Sequence, residues 1–220
     1  MTDLADAAVP PAHLSMARRL ARQAARSVVP ALLLALLPLG AVAHTGADAG
    51  LHHGWMAGFV HPFAGMDHLA AMLAVGLWSA LVAGSSKRSL WVAPAGFAAM
   101  LLVGALAGMG GMQVPAVEPV IAASLLVLGL LVAVRKRLPL FGALALVSAF
   151  AVFHGIAHGR ELVGESGGLA ILAGMLAATL LLHAIGIAIG LSMRNHSRWM
   201  PRAAGGAIAL LGLALLGGVA

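Results

Sequence analysis

The chain has no cysteine among its 220 residues. That excludes a disulfide framework, a thiolate nucleophile and a Cys-type structural zinc site. Any metal it handles must be held by histidine, carboxylate, methionine sulfur or backbone groups. Charge is nearly as scarce: 9% of residues are charged and seven are acidic, against 61% apolar and a mean hydropathy of +1.01. A soluble domain of this length needs far more polar surface. Apolar runs of about twenty residues recur instead, the length that crosses a hydrocarbon core of ~30 Å. No nucleotide-binding motif is present, so the chain by itself does not hydrolyse ATP. The expected fold class is all-α, a polytopic membrane helix bundle.

Residues 1–43 read as a cleavable signal peptide. Arg18, Arg19, Arg22 and Arg26 precede the apolar run "VVPALLLALLPLGAVA", which closes on Ala41-Val42-Ala43, a small-residue cleavage pattern. The basic region begins just after Met16, the expected true start. Cleavage leaves residues 44–54 as a short periplasmic tail with His44 at its amino terminus, and residues 55–220 as a six-helix transmembrane domain. The spans are predicted near 55–83, 89–110, 115–134, 138–158, 168–191 and 203–220. Gly104-x-x-x-Gly108 and Gly186-x-x-x-Gly190 are pairs of small residues that let helices approach closely.

Basic residues orient these spans. With His44 outside, the predicted inner loops hold Lys87, Arg88, Arg135, Lys136, Arg137, Arg194, Arg198 and Arg202, whereas the outer segments hold only Arg160. The pI near 11.6 is therefore a topology signal and not a nucleic-acid footprint. Beyond the leader, the acidic residues Asp48, Asp67, Glu118, Glu161 and Glu165 all lie outside or within spans. A cation arriving from outside meets carboxylates and histidines first. Both mature termini are placed in the periplasm and the bundle in the bacterial inner membrane.

Ionisable groups inside a membrane are costly and point to an ion or proton path. They fall in two clusters. The first is "HPFAGMDH", with His61, Asp67 and His68; its Asp-His pair lies about twelve residues into the first span, close to mid-membrane. On a straight helix His61 and His68 share a face but stand ~10 Å apart along the axis, too far to share an ion. Pro62 removes a backbone hydrogen bond and Gly65 permits a bend, so a break at Pro62 is expected to draw the side chains together. The second cluster is "FHGIAHGRE", where His154 and His158 form an i, i+4 pair able to meet one metal. Glu161 extends that face if the helix continues past Gly159.

Weaker candidates accompany them. A lone intramembrane histidine such as His183 is more often a helix–helix hydrogen-bond partner than a ligand. Glu118, beside Pro115 and Pro119, is equally at home at an interface. An Asp67–His68 pair can also serve packing alone. His44 at the mature terminus offers an amine and an imidazole from one residue, a chelating pair for a nickel- or copper-like ion, and His52 and His53 follow just before the first span. All three are equally explained as solvated residues of a flexible tail.

"HPFAGMDH" is similar to the H-x5-D-H signature of the HupE/UreJ family of nickel/cobalt permeases, and "FHGIAHGRE" resembles that family's second motif. The resemblance covers essentially the whole mature chain. It implies a membrane permease, not an enzyme, that admits Ni²⁺ or Co²⁺ for hydrogenase or urease maturation. On that carry-over His61, Asp67, His68, His154, His158 and Glu161 handle the metal. The ion is then cargo, no prosthetic group is required, and the partners are the divalent ion and the lipid bilayer. The chemistry of the residues points the same way, because imidazoles with a carboxylate suit Ni, Co, Cu or Zn better than Mg or Ca.

Two enzyme readings compete. Gly164-Glu165-Ser166-Gly167 mimics the nucleophile motif of an intramembrane serine protease, but His183 lies ~25 Å along the same helix, so only His154 or His158 could reach Ser166. A zinc-dependent intramembrane hydrolase would use the same His and Asp residues, with Ser148 or Thr179 as a hydroxyl.

Overall fold

A computed structural model describes residues 54–84, 87–194 and 197–218 of the chain. The signal peptide and the tail carrying His44, His52 and His53 lie outside the described residues. Among these residues seven helices follow one another: α1 (Trp55–Ala64), α2 (Met66–Val82), α3 (Lys87–Met109), α4 (Val117–Val134), α5 (Leu140–Glu161), α6 (Gly168–Met193) and α7 (Trp199–Leu216). No strand occurs among the described residues. The segments from Ser89–Met109 onward supply five helices long and apolar enough to cross a membrane. Their outward faces carry large apolar side chains, among them Val103, Leu106, Leu130, Leu169, Leu210 and Leu213. Such a surface is stable against lipid, and every backbone group within a helix is satisfied internally.

The first span is broken, as expected, but three residues beyond the expected position. It is two helices, α1 and α2, bent by 86° at one residue, so the chain makes six crossings if the pair counts as one broken span. The break is at Gly65, whose φ −92° and ψ +116° are extended, and not at Pro62, which sits buried inside α1. Proline costs the helix one hydrogen bond, but its fixed φ is helical and its ring fits a helix about to end. The extended ψ at Gly65 is what turns the chain. At ten residues α1 is only ~15 Å long, whereas α2 is the central helix. Residues 70–81 of α2 are buried on every side, against α1, α3, α4, α6 and α7.

Glycine sets how the other helices pack. Gly104 and Gly108 of α3 lie on the main chain of Val152 and Ile156, and Gly155 and Gly159 of α5 lie on Leu101 and Ala105 in return. The α2–α6 seam repeats this with Gly76, Gly186 and Gly190, α1–α6 with Gly58 and Gly174, and α4–α7 with Gly129, Gly205 and Gly212. A Cβ at any of these positions would overlap a facing helix. Backbones this close replace the hydrophobic effect, which is weak between apolar helices in lipid, with dense van der Waals packing.

The basic segments gather at one end of the bundle. Arg194 donates to the Ala83 carbonyl, Arg135 donates to Arg194 O at 3.4 Å, and Trp78 Nε1–H donates to Lys136 O at 2.9 Å. The histidines and acids of both sequence motifs lie towards the other end.

These seams predict a contrast between two substitutions. Gly104→Ala should lower the thermal stability of the detergent-solubilised protein by roughly 1–3 kcal/mol through overpacking. Gly206→Ala, in α7 with open space around its Cα, should be neutral or mildly stabilising because alanine is the better helix former. Equal effects would refute glycine-set packing.

Candidate metal site

The bend at Gly65 fixes where the first motif goes. Counted from Trp55, Asp67 and His68 fell near mid-span; in the fold they occupy the first turn of α2, at the end of the bundle away from the basic loops. Asp67 there borders an open cleft of about 220 Å³ with Glu118 and Pro119 at the start of α4 and Leu215 and Leu216 at the end of α7. A carboxylate is far less costly here than in mid-helix. A helix N-terminus presents unpaired N–H groups and a favourable dipole. Asp67 Oδ1 accepts the His68 backbone N–H at 2.8 Å and the His68 Nδ1–H at 2.8 Å.

Three imidazoles are held by one device. His68 donates Nδ1–H to Asp67, His154 donates Nδ1–H to the Phe150 carbonyl at 2.9 Å, and His183 donates Nδ1–H to the Met72 carbonyl at 2.8 Å. Carbonyls and carboxylates only accept, so each ring carries its hydrogen on Nδ1 and leaves a lone pair on Nε2. None of these Nε2 atoms has a hydrogen-bond partner, and neither ring nitrogen of the buried His158 has one. A histidine fixed through one nitrogen with the other bare is the arrangement of a metal ligand supported by its neighbours.

The helix of the second motif runs through Gly159 to Glu161. Gly155 and Gly159, pressed onto α3, set the rotation of α5 so that His154 and His158 point into the bundle. The His158 ring centroid lies 4.3 Å from His68 and 4.9 Å from His61; the His154 centroid lies 5.4 Å from His68. His61 Nε2 reaches Glu161 Oε2 at 3.3 Å, and His158 Nδ1 lies 3.9 Å from the same oxygen. His61, His158 and Glu161 offer ligand atoms all within 4.8 Å of one another, and this is the one such group of three among the described residues.

The two motifs therefore interleave. The bend brings the His61 and His68 rings to 6.4 Å, closer than a straight helix allows, yet the His61 ring sits nearer to His158 of the second motif, at 4.9 Å. His158 stands between the motifs, its ring against both His61 and His68, and His154 lies beside His68 as well. His183 is the helix–helix hydrogen-bond partner considered from sequence, joining α6 to α2. Glu118 is exposed at the mouth of the Asp67 cleft. Phe97 of α3, silent in the sequence, is fully buried with its ring 5.6 Å from His154 and 5.3 Å from His183.

The serine-protease reading gains no support from the site. Ser166 is exposed, and neither His154 nor His158 is hydrogen-bonded to it. Thr179 donates to the Met175 carbonyl and lies 3.4 Å from the Met72 sulfur.

Comparison with known proteins identifies the family. A sequence profile described as HupE / UreJ protein matches residues 32–215. The chain is 42% identical over 187 residues to "Protein HupE" of Rhizobium leguminosarum bv. viciae, covering 84% of this chain and 95% of that one. No solved structure matches. The chain belongs to the HupE/UreJ family of multi-pass membrane permeases associated with nickel and cobalt uptake.

Proposed function

We propose that the protein carries a divalent transition-metal ion, nickel or cobalt, across the bacterial inner membrane to supply maturation of a metalloenzyme such as hydrogenase or urease. The observation that carries this reading is the convergence of His61, Asp67, His68, His154, His158 and Glu161 from α1, α2 and α5, with bare ring nitrogens on His68, His154 and His158. Leaving several buried nitrogens unpaired costs about 1–3 kcal/mol each. A bundle that needed only stability would fill those positions with apolar side chains.

On this reading the ion first meets the half-exposed Glu161 with His61 and His158. It then passes to His68 and His154. Asp67 holds the His68 ring, strengthens its Nε2 as a donor and offsets the ion's charge. Imidazole and carboxylate donors without thiolate favour a borderline metal and bind weakly enough to release it. The acidic and histidine end is the periplasmic one, with both mature termini on that side, and the basic end faces the cytoplasm. Cleavage after Ala43 exposes His44, which with His52 and His53 collects the ion at the surface.

In liposomes containing the purified protein, Ni²⁺ accumulation should be competed by Co²⁺ more strongly than by Mg²⁺. A zinc-dependent hydrolase using the same residues would give no uptake at all. Asp67→Asn and His68→Ala should each lower the initial uptake rate by about tenfold or more with expression unchanged, the usual cost of disturbing a metal-ligand network. Normal uptake in both variants removes this group from the path.

Gly65→Ala offers a finer probe. A Cβ at Gly65 would stand 2.9 Å from Asp67 Oδ1 and 3.1 Å from His68 Nδ1. The added methyl should displace that pair and depress uptake while the protein still folds; wild-type uptake would show that the pair's geometry is immaterial. For the tail, acetylating the α-amine of His44 should weaken uptake most at low metal concentration, and a uniform lack of effect would sink its loading role.

A further inference from the structure

The outer group does not reach far into the bundle. His154 is seven residues from the α5 terminus at Glu161, ~10 Å below it, whereas His183 is fifteen residues into α6, ~22 Å from its start. Between the two lies one phenyl ring. Phe97 is fully buried and meets the His154 ring at 62° and the His183 ring at 90°. Both histidines are fully buried, both spend Nδ1–H on a backbone carbonyl, and both keep a bare Nε2.

The bond to Met72 explains only half of His183. Joining α6 to α2 uses Nδ1, and asparagine could do the same with its amide. Nothing in the packing uses Nε2, which has no protein hydrogen-bond partner at the heart of the bundle. Met72, whose carbonyl holds the ring, is itself fully buried, and its thioether lies 3.4 Å from the Thr179 hydroxyl. A single imidazole nitrogen is a sparse donor, suited to a brief stop by a borderline metal ion.

We propose that His183 is an inner station for the transported ion, receiving it from His154, and that Phe97 is the gate between them. This rests on the metal-transport reading above. In place, the Phe97 ring packs against both imidazoles and separates them. Swinging the ring about χ1 joins them, so the ion moves from one Nε2 lone pair to the next without crossing bare hydrocarbon. An aromatic plug also denies a continuous water file to protons and other cations.

The test pairs transport with binding in the full-length protein, using Ni²⁺ as the probe. Initial uptake is measured in liposomes and equilibrium binding by calorimetry in detergent. His183→Asn preserves the bond to the Met72 carbonyl and removes the second nitrogen. It should lower uptake by roughly tenfold or more while leaving Ni²⁺ affinity at the outer group unchanged. Phe97→Ala should speed Ni²⁺ equilibration down a gradient, a gain that damaged folding would not produce. Wild-type uptake in His183→Asn overturns the station, even where Asp67→Asn abolishes uptake. Joint loss of binding and uptake in His183→Asn overturns it too, because the residue then acts on the outer group. Unchanged equilibration in Phe97→Ala removes the gate. Absence of Ni²⁺ binding and uptake in the wild-type protein defeats the transport reading itself, and the station with it.

Discussion

The extended backbone of Gly65 is the constraint on which the rest of the site depends. It turns a span that would have buried Asp67 in mid-helix into two helices. The carboxylate then falls in the first turn of the second, where main-chain N–H groups and the helix dipole favour negative charge. The same turn aims α1 across the end of the bundle and delivers His61 to α5. One dihedral pair thus places the acid of the first motif and joins its leading histidine to the second. Discontinuous helices are a recurrent way for membrane proteins to present backbone and side-chain groups to an ion.

The chemistry that results is built from partial satisfaction. Each of His68, His154 and His183 is fixed by one hydrogen bond and left bare on the other nitrogen. That combination orients a ligand while keeping its lone pair available, and it needs no thiolate. Family membership places the chain among membrane permeases for metal ions, since it shares 42% identity with its rhizobial relative over 95% of that protein.

Much of this was legible in the sequence. Hydropathy located the spans, because twenty apolar residues have few alternatives to a membrane helix, and the basic loops marked one end of the bundle. Both glycine pairs noted in the sequence lie at helix seams. The position of the break was not legible: Pro62 is the stronger punctuation mark, yet its φ is helical, and the turn needs an extended ψ that Gly65 supplies. The partners of His61 were hidden as well, because they depend on the rotation of α5, which Gly155 and Gly159 set against α3. Phe97 gave no signal, since a phenylalanine in an apolar helix is indistinguishable from filler until its neighbours are known.

The glycine seams also divide the bundle into mechanical parts. The α3–α5 pair is locked backbone to backbone, and so are α1 and α2 through α6. Neither unit can deform internally without opening its seam, so displacement falls on the boundary between them. His154, His158, Glu161 and Phe97 ride on one unit; His61, Asp67, His68 and His183 ride on the other. Every cross-motif distance therefore spans the boundary between the two units. A shift of an ångström there would loosen one set of donors as it tightened the next, so the coordination sphere itself would be the moving part of the machine.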